Sequence, residues 1–243
     1  MVTPEVWASL LAQLDADGNL HVIKAHALTN VSGDAGMKIA AAIAMLPAGV
    51  GGIVDATGFP NPQTVSGFAV IQGVTVLTAP IFHTGVGPNP IIVNQGGRLI
   101  GLGTNSPGAT TFKLGDGLNR DVIKCISTAG ESGWWHHGEV RNIRILGNKF
   151  NNTLGNGLSV YGLAETSLIQ RVSISDAPQA GLYHKGSASG TGSIENVTVN
   201  ANGLCGVQLD QFRSSILLKS VGGDQNPMTF LITDPSQGGG TIQ

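Results

Sequence analysis

The hexapeptide "GLYHKG" at residues 181–186 sets Tyr183, His184 and Lys185 side by side in a 243-residue chain with two tyrosines in all and 12% charged residues. A phenol, an imidazole and an ammonium can each move a proton or grip a sugar. A second dense stretch, "GWWHHGEV" at residues 133–140, places Trp134, Trp135, His136 and His137 in a row. Tryptophan offers a large apolar face with one polar handle, which suits a stacking platform. The adjacent histidines have no cysteine or third histidine at ligand spacing, so no zinc site is expected.

What these residues can do depends on the elements that hold them, and the chain aligns with itself. "GLSVYG" begins at Gly157, "GLYHKG" at Gly181 and "GVQLDQ" at Gly206. A second strand-like segment follows each glycine after 12 or 13 residues: "IQRVSIS", "IENVTVN" and "LKSVGGD", with an earlier copy in "VRNIRILGN" from Val140. A period of 24–25 residues with β-type spacing and no helix between copies predicts parallel strands stacked in coils. Glycine, at 36 residues, suits many short strands joined by tight turns. Val172, Val197 and Val221 then form one apolar column and Ile174 and Val199 another, which Gly223 interrupts.

The same superposition assigns faces. His184 aligns with Val160 and Leu209, so its side chain points into the coil as a buried, hydrogen-bonded core histidine. Its neighbours point outward: Ser159, Tyr183 and Gln208 form one exposed column, and Tyr161, Lys185 and Asp210 another. Lys185 falls one rung from both Tyr161 and Asp210, within about 5–6 Å at the backbone. Within "GWWHHGEV" alternation allows at most one Trp and one His on any one surface, so one Trp is expected in the core.

Two helical patterns precede the coils. Trp7, Leu10, Leu11 and Leu14 lie on one face of "TPEVWASLLAQLDADG", with Thr3, Pro4 and Gly18 as start and stop signals. In "GDAGMKIAAAIAMLPAG", Ile39, Ile43 and Leu46 form a stripe that ends at Pro47 and Gly49. Residues 1–50 therefore read as a helical arm and cap over an apolar end, and 51–243 as the solenoid. At its C-terminus "MTFLITDPSQGGGTIQ" starts another coil with no cap, and an open stack of strands invites a second subunit or another partner.

The net charge of −2 gives no footprint for nucleic acid or an anionic membrane. No apolar run reaches the roughly 18–20 residues of a membrane span. The first twenty residues lack a basic segment, so no signal peptide is expected. Cys125 and Cys205 fall at least two rungs apart, beyond the ~7 Å Cα separation that a disulfide tolerates, and are expected as free thiols.

The segment "MKIAAAIAMLPAGVGGIVDATGF", the rung "GGRLIGLG" and the later "VRNIRILGNKFNN", "GLAETSLIQRVSIS" and "GGDQNP" resemble the pectate-lyase-like right-handed parallel β-helix proteins, most of all uncharacterised and phage tailspike-like members. The resemblance spans roughly residues 35–230. It implies an all-β, right-handed parallel β-helix with a helical cap, an extracellular, cell-surface or virion location, polysaccharide as partner and trimerisation as in tailspikes. It does not choose a function, because the fold hosts lyases, hydrolases, epimerases and adhesins.

Chemistry narrows the choice. A glycosidase needs two carboxyl groups about 5–5.5 or 6.5–9.5 Å apart, and Asp210 has no carboxylate in its own column, although Glu165 in "GLAETS" could reach toward it. A lyase needs a base and a cation, roles that Tyr183 and Lys185 could fill. The aspartate-rich motifs of polygalacturonases and the aspartate cluster and arginine motif of calcium-dependent pectate lyases are absent. The expected function is thus a carbohydrate-binding or structural β-helix, with a polysaccharide lyase or glycoside hydrolase as the alternative. Lys185, Tyr183 and Asp210 are its candidate catalytic residues, and Tyr161, Trp134, Trp135, His137 and Glu165 its candidate sugar contacts. No cofactor is expected; calcium could meet turn residues Asp176, Asn200 and Asp224, which do not share one column.

Overall fold

In the computed structural model, which describes residues 20–78, 82–86, 89–104, 109–186, 192–211 and 216–233, every ladder between named strands is parallel. The chain is a parallel β-solenoid of about six turns, with one α-helix among the described residues, near the N-terminus. Each turn presents three faces. The first begins at Val22–Lys24 and continues through Gly52–Ala56, Val74–Thr78 and Arg98–Ile100. The second starts with Gln63–Val65, Phe82–Val86 and Thr110–Leu114. The third stacks Ala69–Val70, Ile91–Asn94, Ile123–Ile126, Leu158–Tyr161, Ala180–Lys185, Cys205–Asp210 and Phe230–Thr233.

From Glu139 onward the first two faces are carried by single strands: Glu139–Leu146, Leu168–Ser175, Ser193–Asn200 and Leu217–Gly222. Arg98–Ile100 pairs with the front of the Glu139–Leu146 strand and Thr110–Lys113 with its back. The corner between the two halves shrinks to one left-handed residue per coil: Asn142, Arg171, Asn196 and Ser220, with φ of 51° to 55°. Strict alternation therefore fails at that residue. Ile169 is buried, Gln170 and Arg171 both point away from the core, and Val172 is buried again. A second left-handed column, Asn148, Asp176, Ala201 and Gln225, turns the chain toward the third face.

Asparagine amides lace these corners together. Asn202 Nδ2 donates to Asn226 Oδ1 at 3.0 Å, and the backbone N–H of Ala177 donates to Asn202 Oδ1 at 3.0 Å. Buried backbone groups at a turn need such partners, and one amide side chain can serve two rungs at once.

The predicted columns hold. Ile143, Val172, Val197 and Val221 pair in register, as do Ile145, Ile174 and Val199. On the third face Val160, His184 and Leu209 stack as the repeat requires, and all three are fully buried. Cys125 and Cys205 are both buried free thiols. Cys125 aligns with Val160, whereas Cys205 lies two strands further along, three ladder steps away or about 14 Å.

The helix spans Ala35–Met45 and seats Ile39 and Ile43 on the end of the core. Asp34 caps it, accepting from Met37 N–H at 3.0 Å, and the same carboxylate accepts from the Ser66 N–H at 2.8 Å and hydroxyl at 2.9 Å. One acidic side chain thus pins the cap to the first coil. Gly36 makes the contact possible, since a Cβ there would meet the Ser66 carbonyl oxygen at 1.9 Å. The helix expected over residues 3–17 lies outside the described residues, as does the chain beyond 233. Within the stretch read as a helical arm, Val22–Lys24 instead adds a strand to the first face.

Candidate functional site

The register of the third face brings the outward columns together as expected: Ser159, Tyr183 and Gln208 in one, Tyr161, Lys185 and Asp210 in the other. Outward does not mean open, however. Ser159 is fully buried and Tyr161 is only 7% exposed. Both lie beside elements contributed by the preceding coil. Lys124 occupies the same column as Ser159, one rung earlier, and its Nζ lies 5.7 Å from the centre of the Tyr161 ring. Glu131, on the loop that follows, pairs with Lys124 at 2.7 Å, and, on top of burial, its negative charge raises the Tyr161 phenol. Asp121 lies 3.7 Å from Lys124 and accepts from the Asn156 amide at 3.1 Å.

That preceding coil was not found by the repeat. Lys124 and Ser159 are 35 residues apart, whereas Ser159, Tyr183 and Gln208 follow at 24 and 25. Six of the eleven extra residues lie in the loop from Ser127 to Gly138, which carries "GWWHHG", and the other five in the turn between Leu146 and Leu158. The signal that could have revealed it is "VIKCIS", a strand of the same in–out pattern displaced by the insertion.

The loop is anchored by its second tryptophan. Trp135 N–H donates to the Gly162 carbonyl at 2.7 Å, Ala164 N–H donates back to the Trp135 carbonyl at 3.1 Å, and the Ser167 hydroxyl donates to that carbonyl at 2.6 Å. Its indole is fully buried and packs where Gly138 has no side chain: a Cβ there would lie 2.2 Å from the ring. Trp135 is thus the core tryptophan and leaves the list of sugar contacts. Trp134 points the other way and is 47% exposed.

His136 Nδ1 lies 2.6 Å from Glu165 Oε2, and its ring is 5.8 Å from Trp134. Glu165 is therefore engaged with this histidine. His137 occupies a left-handed corner stacked on Thr166, whose hydroxyl its Nδ1 contacts. Neither His137 nor Glu165 lines the clefts described next.

Two open clefts lie side by side over the third face. One, of about 450 Å³, is lined by Trp134, Glu131, Lys185 and Gln211 over a floor of Gly162 and Gly186. The other, of about 350 Å³, is lined by Asp121, Asn156, Tyr161, Gln179, Tyr183 and Gln208. The floor glycines adopt φ of 63° and 91°, a region where side chains are disfavoured, so bare backbone meets the cleft. At Gly162 a Cβ would also press on the Trp134 indole at 3.1 Å.

Lys185 and Asp210 are register partners as expected, but no ion pair joins their side chains. Asp210 instead accepts from the Tyr183 hydroxyl at 2.7 Å and from the Thr233 hydroxyl at 2.9 Å. Among the described residues Lys185 makes no ion pair.

Burial and then the bond to Asp210 push the Tyr183 phenol well above the ordinary tyrosine value. Burial, with the charges of Asp121 and Glu131, does the same to Tyr161. A phenol held neutral and donating to a carboxylate is a poor general base. Burial lowers His184 to about 4, so the imidazole is neutral at physiological pH, and its Nε2 accepts from Leu163 N–H at 3.4 Å.

Among the described residues no group of three or more His, Cys, Asp and Glu side chains is placed to hold a metal ion. Asn200 Oδ1 accepts from Asp224 N–H at 2.8 Å, while Asp176 belongs to the next column with Ala201 and Gln225. No helix among the described residues is long and apolar enough to cross a membrane. No family model, curated protein or solved structure matches this chain.

Proposed function

We propose that the chain is a carbohydrate-binding solenoid of the pectate-lyase-like type that holds a polysaccharide along its third face. One observation carries this reading: Trp134 leaves nearly half of its surface in water over a glycine floor, beside a tryptophan that is wholly buried. Exposing an indole forfeits hydrophobic stabilisation, and open aromatic surface in a concave site is the mark of a ligand that covers it. The adjacent amides of Gln179, Gln208 and Asn156 and the phenols supply donors and acceptors for hydroxyl groups.

The wall is shallow and polar, as a long ligand lying across several rungs requires. An extracellular, cell-surface or virion setting, with association of several chains as in tailspikes, fits a protein that meets polysaccharide. Against the lyase alternative stands the Tyr183 hydroxyl, which donates to Asp210 and is disfavoured as a base.

The test is titration with a panel of neutral and uronate-containing polysaccharides, read by tryptophan fluorescence and calorimetry. Binding by the native chain and at least a tenfold loss in Trp134→Ala are expected, a factor worth about 1.4 kcal/mol. Accumulation of unsaturated products absorbing in the ultraviolet would replace this reading with a lyase, and new reducing ends with a hydrolase. Absence of binding across the panel would reject it.

A further inference from the structure

The two clefts differ in charge, and the difference specifies a ligand more narrowly than "polysaccharide". In the Trp134 cleft Glu131 is neutralised by Lys124 at 2.7 Å, leaving Lys185 as the uncompensated charge among the described lining residues. Its neighbour on the next rung, Asp210, is held by Tyr183 and Thr233. In the adjacent cleft the polarity reverses. Asp121 lines it, sharing Lys124 at 3.7 Å with the closer Glu131, Asp210 backs its Tyr183 wall, and no Lys or Arg is among its lining residues.

We infer that the site takes an anionic sugar residue, bearing a carboxylate or a sulfate ester, against Trp134 and Lys185, with a neutral residue beside it next to Asp121 and Tyr183. This rests on the polysaccharide reading above and deepens it. An ammonium with no ion-pair partner among the described residues favours an anion in a concave site, and a carboxylate one subsite away disfavours a second one. The ligand is therefore a heteropolymer in which charged and neutral sugars alternate. A polymer charged at every residue would bring each second anion up to Asp121. Lys185 is the specificity-determining residue and Trp134 the platform.

The experiment uses the full chain and polysaccharides in matched forms. Unsulfated chondroitin and hyaluronan present a carboxylate on alternate residues, carboxyl-reduced chondroitin sulfate presents only the ester, and carboxyl-reduced hyaluronan presents neither. Polygalacturonate carries a carboxylate on every residue.

An alternating ligand is expected to bind at least tenfold more tightly than its uncharged counterpart and than polygalacturonate of equal length. Whether the carboxylate or the ester form binds identifies the anion. Lys185→Gln should remove the tenfold preference while keeping binding of the neutral form, and Asp121→Asn should raise the affinity for polygalacturonate. Equal binding of charged and neutral forms, or an unchanged preference in Lys185→Gln, overturns this inference but leaves the saccharide site standing. Tightest binding of polygalacturonate also overturns it alone. Failure of every polymer to bind, with Trp134→Ala indistinguishable from the native chain, overturns both.

Discussion

The interior of the coil and the clefts on its third face are built from alternate residues of the same strands, yet they answer to different physics. Inside, Val160, His184 and Leu209 stack in register and each is sealed from water. One residue away, Tyr161, Lys185 and Asp210 stack in the same register, but Tyr161 and Asp210 choose partners across the surface. Interior positions have one good solution, contact with the rung above and below. Surface positions have several, and the winner is set by whatever loop lies nearby. Trp134 and Trp135 show the contrast within one dipeptide.

The interior half of the contrast is most severely tested at Trp135. Trp135→Ala should cost about 3–5 kcal/mol, as for other large buried aromatics, read as a fall in the denaturant midpoint. A loss below about 1 kcal/mol would mean that the insertion loop packs loosely and that Trp135 belongs with its neighbour.

His184 supplies a pH-dependent version of the same test. Its folded value of about 4 lies below the ~6.5 of an unfolded histidine, so the unfolded chain binds the proton first. The contribution is complete above about pH 6.5 and is lost as pH falls toward 4, with a size of order 3 kcal/mol. His184→Leu, matching the Leu209 below it, should flatten the stability profile across that window. A profile unchanged by the substitution would show that other groups govern it.

A smaller effect is expected where the cap meets the coil. Gly36→Ala should cost about 1–3 kcal/mol, because the new methyl would press on the Ser66 carbonyl and the helix would have to lift. Met45→Ala, at an exposed position on the same helix, is the control and should change stability by less than about 0.5 kcal/mol. Equal effects would show that the helix is not seated through Gly36.

The same division explains what could be read from the chain beforehand. A 24–25-residue repeat fixes strand order and interior columns, so the stacking of Val172 on Val197 and the burial of His184 were legible. Periodicity cannot see a single left-handed corner, and Arg171 therefore reads as one step of a continuous strand. Nor can it cross an insertion. The 35-residue coil hid Lys124, Glu131 and Asp121, and with them the reason that Tyr161 is covered. Side-chain choices such as Asp210 for Tyr183, or Glu165 for His136, depend on distances of a few ångströms that no spacing rule encodes.

The mildest perturbation sharpens the outer half of the comparison. The chain has two tyrosines, Tyr161 and Tyr183, and both face the cleft region with phenols raised above their ordinary range. A free phenol ionises near pH 10 and its absorbance shifts as it does so. While the protein stays folded, an alkaline titration through pH 11 should therefore show almost none of that change, and denaturant should release both residues at once. Tyr183→Phe should leave the folded titration flat and halve the signal released on unfolding, at a stability cost of about 1 kcal/mol for the lost bond to Asp210. A phenolate appearing in the folded native chain below pH 10 would reverse the assignment. It would make one of these residues an available base, and the surface would then be read as a reaction centre in place of a binding wall.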